Sequence, residues 1–186
     1  MPLPIETKRL IIRYYEDRDL RDIMQYSSSK DYWLLRNLDW RPQEQNAKKY
    51  WETQHNLRFE DDPQWISLVI ESIEHNKVIG NTGLGIIISE GHKHGTIGWL
   101  IGDAYQGNGY ATEAANGVIS FGFRELKLHR IAARTGLDNV RSWRVMQRLG
   151  MRQEARFKES HIVKGEWRDE VVYAILAEEW RKKEEG

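Results

Sequence analysis

Apolar residues fall in short runs separated by glycine, proline or charged turns, and the spacing of each run predicts the element it forms. Arg-Leu-Ile-Ile-Arg-Tyr-Tyr at 9–15 reads as a first strand. Leu20, Ile23 and Met24 then share one side of a short amphipathic helix that runs out into serines. The aromatic stretch 30–42 fits neither period. Pro42 opens a polar helical stretch ending near Asp61, Asp62 and Pro63. Strands are expected at 65–71 and 77–88 around a hairpin turn, and at 95–102. Over 111–126 the residues Ala114, Ala115, Val118, Ile119, Gly122 and Leu126 form one helical stripe. A strand at 129–137 and a helix started by Asn139 and stopped by Gly150 follow. A hairpin turn at Lys164-Gly165 and a last strand at 171–176 complete the order β-α-α-β-β-β-α-β-α-β-β. That order predicts one α+β domain over 1–186 with a central, mostly antiparallel sheet.

Composition narrows the function classes. Lysine plus arginine and aspartate plus glutamate each number 28, which argues against a nucleic-acid or membrane-surface partner. The chain has no cysteine, so disulfides, thiolate metal sites and a cysteine nucleophile are excluded. No long apolar run and no signal-peptide shape is present, and a soluble cytoplasmic protein is expected.

The stretch Tyr-Gln-Gly-Asn-Gly-Tyr-Ala-Thr-Glu-Ala-Ala at 105–115 carries the chemistry. A strand, a glycine turn and a helix start bring unpaired N–H groups together where the helix dipole adds positive charge. Gly107 and Gly109 permit positive φ and leave no Cβ in a ligand's path. A Walker loop would need Gly-Lys-Ser/Thr, which is missing, and the dinucleotide fingerprint would need a glycine where Thr112 stands. A lone G-x-G is more often a tight turn that binds nothing, since glycine is the ordinary turn residue.

Gln106, Gly109 and Ala111 fill the fixed places of the Arg/Gln-x-x-Gly-x-Gly/Ala loop, and the segment resembles the acyl-CoA pyrophosphate loop of the Gcn5-related N-acetyltransferases (GNAT). ETKRLIIR near the start, HRIAAR at 129–134, NVRS and RLGM within 139–151, and KGEWRDEVVYAIL near the end resemble, in the same order, the branch of the Rim-type ribosomal-protein N-terminal acetyltransferases. The resemblance implies a GNAT-like α+β domain with helices flanking a mixed sheet and a V-shaped cleft between two splayed strands. It implies acetyl-CoA as co-substrate, with no metal. Trp99, Leu100 and Ile101 would pair with the pantetheine arm. Gln106 and the backbone of Gly107, Asn108, Gly109, Tyr110, Ala111 and Thr112 would hold the diphosphate. Asn139 would bind pantetheine from the opposite wall, although the same residue reads as a plain helix cap. A homodimer is compatible with the family.

The implied reaction is direct attack of an amine on the acetyl thioester, which requires a neutral amine, an N–H facing the developing oxyanion and a proton for the thiolate. The oxyanion donor would be a backbone amide near Leu100 or Ile101. The position where many relatives carry a proton-donating tyrosine is Met146. Ser142 matches the serine of the Rim-type N-x-x-S and would serve near the sulfur, or a water would; as a bland alternative it caps a helix. Thr96 replaces the glutamate of the Rim-type strand, so no carboxylate base is supplied there. His129 reads as a strand start, and His92 and His94 as part of a solvated loop.

At pH 7 roughly 15% of an α-amine is neutral, against about 0.04% of a lysine amine, a difference of around 3.5 kcal/mol. A site without a strong base therefore handles a protein N-terminus better than lysine or a polyamine. The acceptor end is expected near 30–40, with Trp33 and Trp40 as an aromatic wall or as core. Two alternatives stay open: a small amine such as a polyamine, aminoglycoside or amino acid as acceptor, or a non-catalytic acyl-CoA-binding module.

Overall fold

The computed structural model describes residues 3–26, 43–59, 65–163 and 165–185. Within these residues eight strands form one sheet in the order β1-β2-β3-β4-β5-β6-β8-β7. The strands are β1 (Ile5–Glu6), β2 (Leu10–Arg13), β3 (Trp65–Ser72), β4 (Lys77–Ser89), β5 (His92–Ile101), β6 (Arg130–Gly136), β7 (Arg152–Val163) and β8 (Glu166–Leu176). Every neighbouring pair is antiparallel except β5 and β6. The described helices are α1 (Leu20–Tyr26), α2 (Gln43–His55), α3 (Tyr110–Arg124), α4 (Val140–Arg148) and α5 (Ala177–Glu185).

Both faces of the central strands are covered, and the period-2 alternation of β3 shows how. Ile66, Leu68 and Ile70 belong to the core shared with α3, whereas Val69 joins Tyr15, Ile23, Tyr26 and Val78 on the other face. The helical stripe is as the sequence predicts: Ala114, Ala115, Val118 and Ile119 are fully buried. Gly122 allows the close approach of α3 to the sheet, since a Cβ there would stand 2.9 Å from Ile131 Cδ1. Arg13 holds β2 to its surroundings, donating to Asp19 and Glu71 at 2.7 Å from Nη1 and Nε.

Two elements were not expected. β1 is only two residues long, too short for a periodic signal. In α5 the one buried residue is Trp180, which packs its ring 6.2 Å from that of Phe123, so a polar run gives no apolar stripe to read. The strand expected at 95–102 begins earlier, at His92. Trp33 and Trp40, and most of the acidic stretch to Pro63, lie outside the described residues.

Candidate active site

The parallel ladder between β5 and β6 spans only His94–Arg130, Gly95–Ile131 and Thr96–Ala132. Both strands continue past it, β5 to Ile101 and β6 to Gly136, without pairing with each other. The wedge this leaves is a cavity of about 1270 Å³. One wall is Ile97–Ile101, and the other holds Arg134, Thr135, Asn139, Ser142 and Met146. Thr96 sits in the last paired step, at the vertex of the wedge, and does not line it.

Strand alternation decides which amides face the opening. Gly102 donates its N–H to the Ile79 carbonyl at 2.8 Å, and Asn81 is the partner of Leu100. Stepping back two residues along an antiparallel ladder therefore turns the Leu100 N–H toward β4, and those of Trp99 and Ile101 toward the wedge. Of the two amides named for the oxyanion, this register turns that of Leu100 toward β4 and presents that of Ile101, with Trp99 beside it.

The far end of the wedge is closed by the glycine turn. Gly107 and Gly109 have φ of 81° and 79°, and a Cβ on Gly107 would meet nothing within 4 Å, so dihedral freedom rather than space requires the glycine. The first intrahelical bond of α3 runs from Glu113 N–H to the Gly109 carbonyl at 3.1 Å. Among the described residues the backbone N–H groups of 107–112 have no acceptor. Gln106, Gly107, Gly109, Tyr110, Ala111 and Thr112 all line the cavity. Asn108 does not; its Nδ2 donates to the carbonyls of Tyr105 and Gln106, both at 3.2 Å.

The Gln106 side chain is a strut. Its Nε2 donates to the Ile101 carbonyl at 2.9 Å and to Asp103 Oδ1 at 3.0 Å, and its Oε1 accepts from Arg141 Nη1 at 2.6 Å. It thereby joins the end of β5 to the start of α4. On that helix the Asn139 side-chain oxygen accepts the Ser142 N–H at 3.3 Å, which realises the cap reading, and Asn139 also lines the cavity. The Ser142 hydroxyl has no hydrogen-bond partner among the described residues, and Met146 beside it is 2% exposed and offers no proton. His92, His94 and His129 do not line the wedge.

Several lining residues were missed from sequence. Arg141, Arg144 and Arg148 recur on one side of α4 at spacings of three and four, a legible signal that places positive charge beside the open amides. Trp65, Tyr50 and Ser67 line the part of the cavity reached by β3 and α2. Trp65 is 40% exposed. Its indole lies over the facing glycines Gly83 and Gly98, which strand register alone brings together. Ser67 Oγ and the Tyr50 hydroxyl are 2.7 Å apart.

Glu113, in the first turn of α3, is the remaining charged anchor. Burial disfavours its ionised form, but hydrogen bonds from Thr7 Oγ1, Arg9 Nε and Arg9 N–H outweigh burial and hold the carboxyl below the ordinary glutamate range.

Comparison with known proteins agrees with this geometry. The chain is 34% identical over 180 residues, 95% of its length and 98% of the relative's, to the uncharacterised N-acetyltransferase YnaD of Bacillus subtilis strain 168. It is 25% identical over 181 residues, 95% of its length and 92% of the relative's, to the [ribosomal protein uS5]-alanine N-acetyltransferase of Escherichia coli K12. A crystal structure of spermidine N-acetyltransferase from Vibrio cholerae with CoA and spermine superposes with a TM-score of 0.77 at 19% identity, covering 94% of this chain and 99% of that one. The model of the acetyltransferase (GNAT) domain matches residues 9–152, and the chain belongs to this family of N-acetyltransferases, which transfer acetyl groups to amines.

Proposed function

We propose that residues 1–186 form one acetyltransferase domain that moves the acetyl group of acetyl-CoA to a protein N-terminal α-amine. The observation that carries the cofactor half is the wedge itself, with outward-facing strand amides along one wall and partnerless amides at 107–112 across its end. The diphosphate lies against those amides, Arg141, Arg144 and Arg148 add charge, and the pantetheine arm runs along Trp99 and Ile101. The adenylate end follows a second groove of about 940 Å³ past Thr112, Asn116 and Arg148.

In the chemical step the amine nitrogen bonds to the acetyl carbon and the oxyanion accepts the N–H of Ile101 or Trp99. The carbon–sulfur bond then breaks, the Ser142 hydroxyl gives the thiolate its proton, and the proton lost by the nitrogen returns to Ser142 through water, which restores the hydroxyl. Thr96, at the vertex, offers no carboxylate, and this favours an acceptor that is already partly neutral. Trp65, with Tyr50 and Ser67, receives the group next to the amine. A relative that acetylates a ribosomal-protein alanine supports the N-terminal acceptor, whereas the spermidine enzyme shows that the same fold serves polyamines.

The test is thiol release from acetyl-CoA across N-terminal peptides and small amines. Turnover confined to small amines rejects the N-terminal acceptor, and binding of CoA without turnover on any amine rejects the enzyme reading in favour of a binding module.

A further inference from the structure

Arg9 is 99 residues from Asn108 in sequence, yet its side chain wraps three consecutive residues of the glycine turn. Its Nη1 donates to the Asn108 carbonyl at 3.0 Å, its Nη2 lies 3.5 Å from where a Cβ on Gly109 would be, and its guanidinium carbon sits 4.6 Å from the centre of the Tyr110 ring. Glu113 fixes the arginine in turn, accepting from Nε at 2.7 Å and from the Arg9 backbone N–H at 2.8 Å. Thr7 Oγ1 donates to the same carboxylate at 2.7 Å, and the Arg9 carbonyl accepts the Ile73 N–H at 3.0 Å. Both ends of the arginine are therefore held before it reaches the turn.

The consequence lies in peptide geometry. In a trans peptide the C=O and the following N–H point in opposite directions. An arginine that holds the Asn108 carbonyl on its own side therefore turns the Gly109 N–H away from itself. Glycine at 109 with φ of 79° would otherwise let this peptide rotate freely.

We propose that Arg9 is a positioning residue for the diphosphate: with Glu113 it forms a latch that orients the Asn108–Gly109 peptide so that the Gly109 N–H faces the cofactor. This rests on the acetyl-CoA reading above. Arg9 touches no reacting atom and acts through the turn.

The test combines calorimetry with CoA and dephospho-CoA and the backbone amide resonance of Gly109 in the free protein. Arg9→Met is expected to shift that resonance and to weaken both ligands by about tenfold, the scale of one charge-assisted hydrogen bond. Glu113→Gln should weaken both by about threefold, and the double variant should bind no worse than Arg9→Met, because the two residues act as one unit. An unchanged Gly109 resonance, an unchanged affinity, a loss confined to CoA (contact with its 3′-phosphate instead) or additive losses each overturn the latch. Should Arg9→Met fail to fold, Glu113→Gln with the same two measurements decides the matter alone. Wild-type protein that binds neither ligand sinks the acetyl-CoA reading itself, a result distinct from a variant that binds normally.

Discussion

Trp65 covers Gly83 so closely that a Cβ added to the glycine would stand 2.3 Å from the indole. Gly83→Ala must push the ring aside, at a cost of about 1–3 kcal/mol, read as a lower denaturation midpoint. Trp65→Ala in the same chain should recover part of that loss, since it removes the clash. Equal losses from Gly83→Ala with and without the tryptophan would show that the ring is not held there. In turnover assays Trp65→Ala should raise KM for the amine and leave KM for acetyl-CoA unchanged.

Ser142→Ala should lower kcat by about a hundredfold, the lower end of what a positioned proton donor contributes, while CoA affinity stays near that of wild type. The hydroxyl lines the wedge, and the cap at this position uses the Ser142 backbone N–H, which alanine retains. An unchanged kcat removes the hydroxyl from the mechanism and leaves water as the donor.

Gly109→Val forces a β-branched residue to φ of 79° at the start of α3. The strain of about 1–2 kcal/mol, or the rearrangement that relieves it, misplaces the turn's amides. Calorimetry should show CoA affinity falling by about tenfold or more. Normal affinity would contradict the placement of the diphosphate at this turn.

Glu113 has a depressed pKa in the folded protein, so the sign of its pH effect is set. Its contribution to stability is fully present above the unfolded glutamate value and is lost as pH falls through the lower folded value. Thermal unfolding from pH 7 down through the acid range should therefore show wild type losing an advantage over Glu113→Gln below about pH 4.3, the unfolded reference. Parallel curves over that whole range would mean that the carboxylate is not held by Thr7 and Arg9.

Elements that bury an apolar stripe were legible from sequence. The pattern of Ala114, Val118 and Ile119 marks α3, and Asn139 and Gly150 bound α4 as caps do. Features made by register or by long-range contact were not. Gly83 and Gly98 become one floor only once β4 and β5 are paired, and Arg9 reaches Glu113 across 104 residues. The glycine turn at 106–112 was readable because its glycines are local. The direction of the Leu100 amide was not, since it depends on which side of β5 faces β4.

The early end of the β5–β6 ladder at Thr96 and Ala132 has a consequence for solubility as well as for chemistry. Unpaired strand amides on the outer margin of a sheet invite another chain to add itself there. Those of Trp99 and Ile101 instead lie mid-sheet, in the notch between β5 and β6. The fold thus keeps unpaired strand amides away from the aggregation route that exposed margins open.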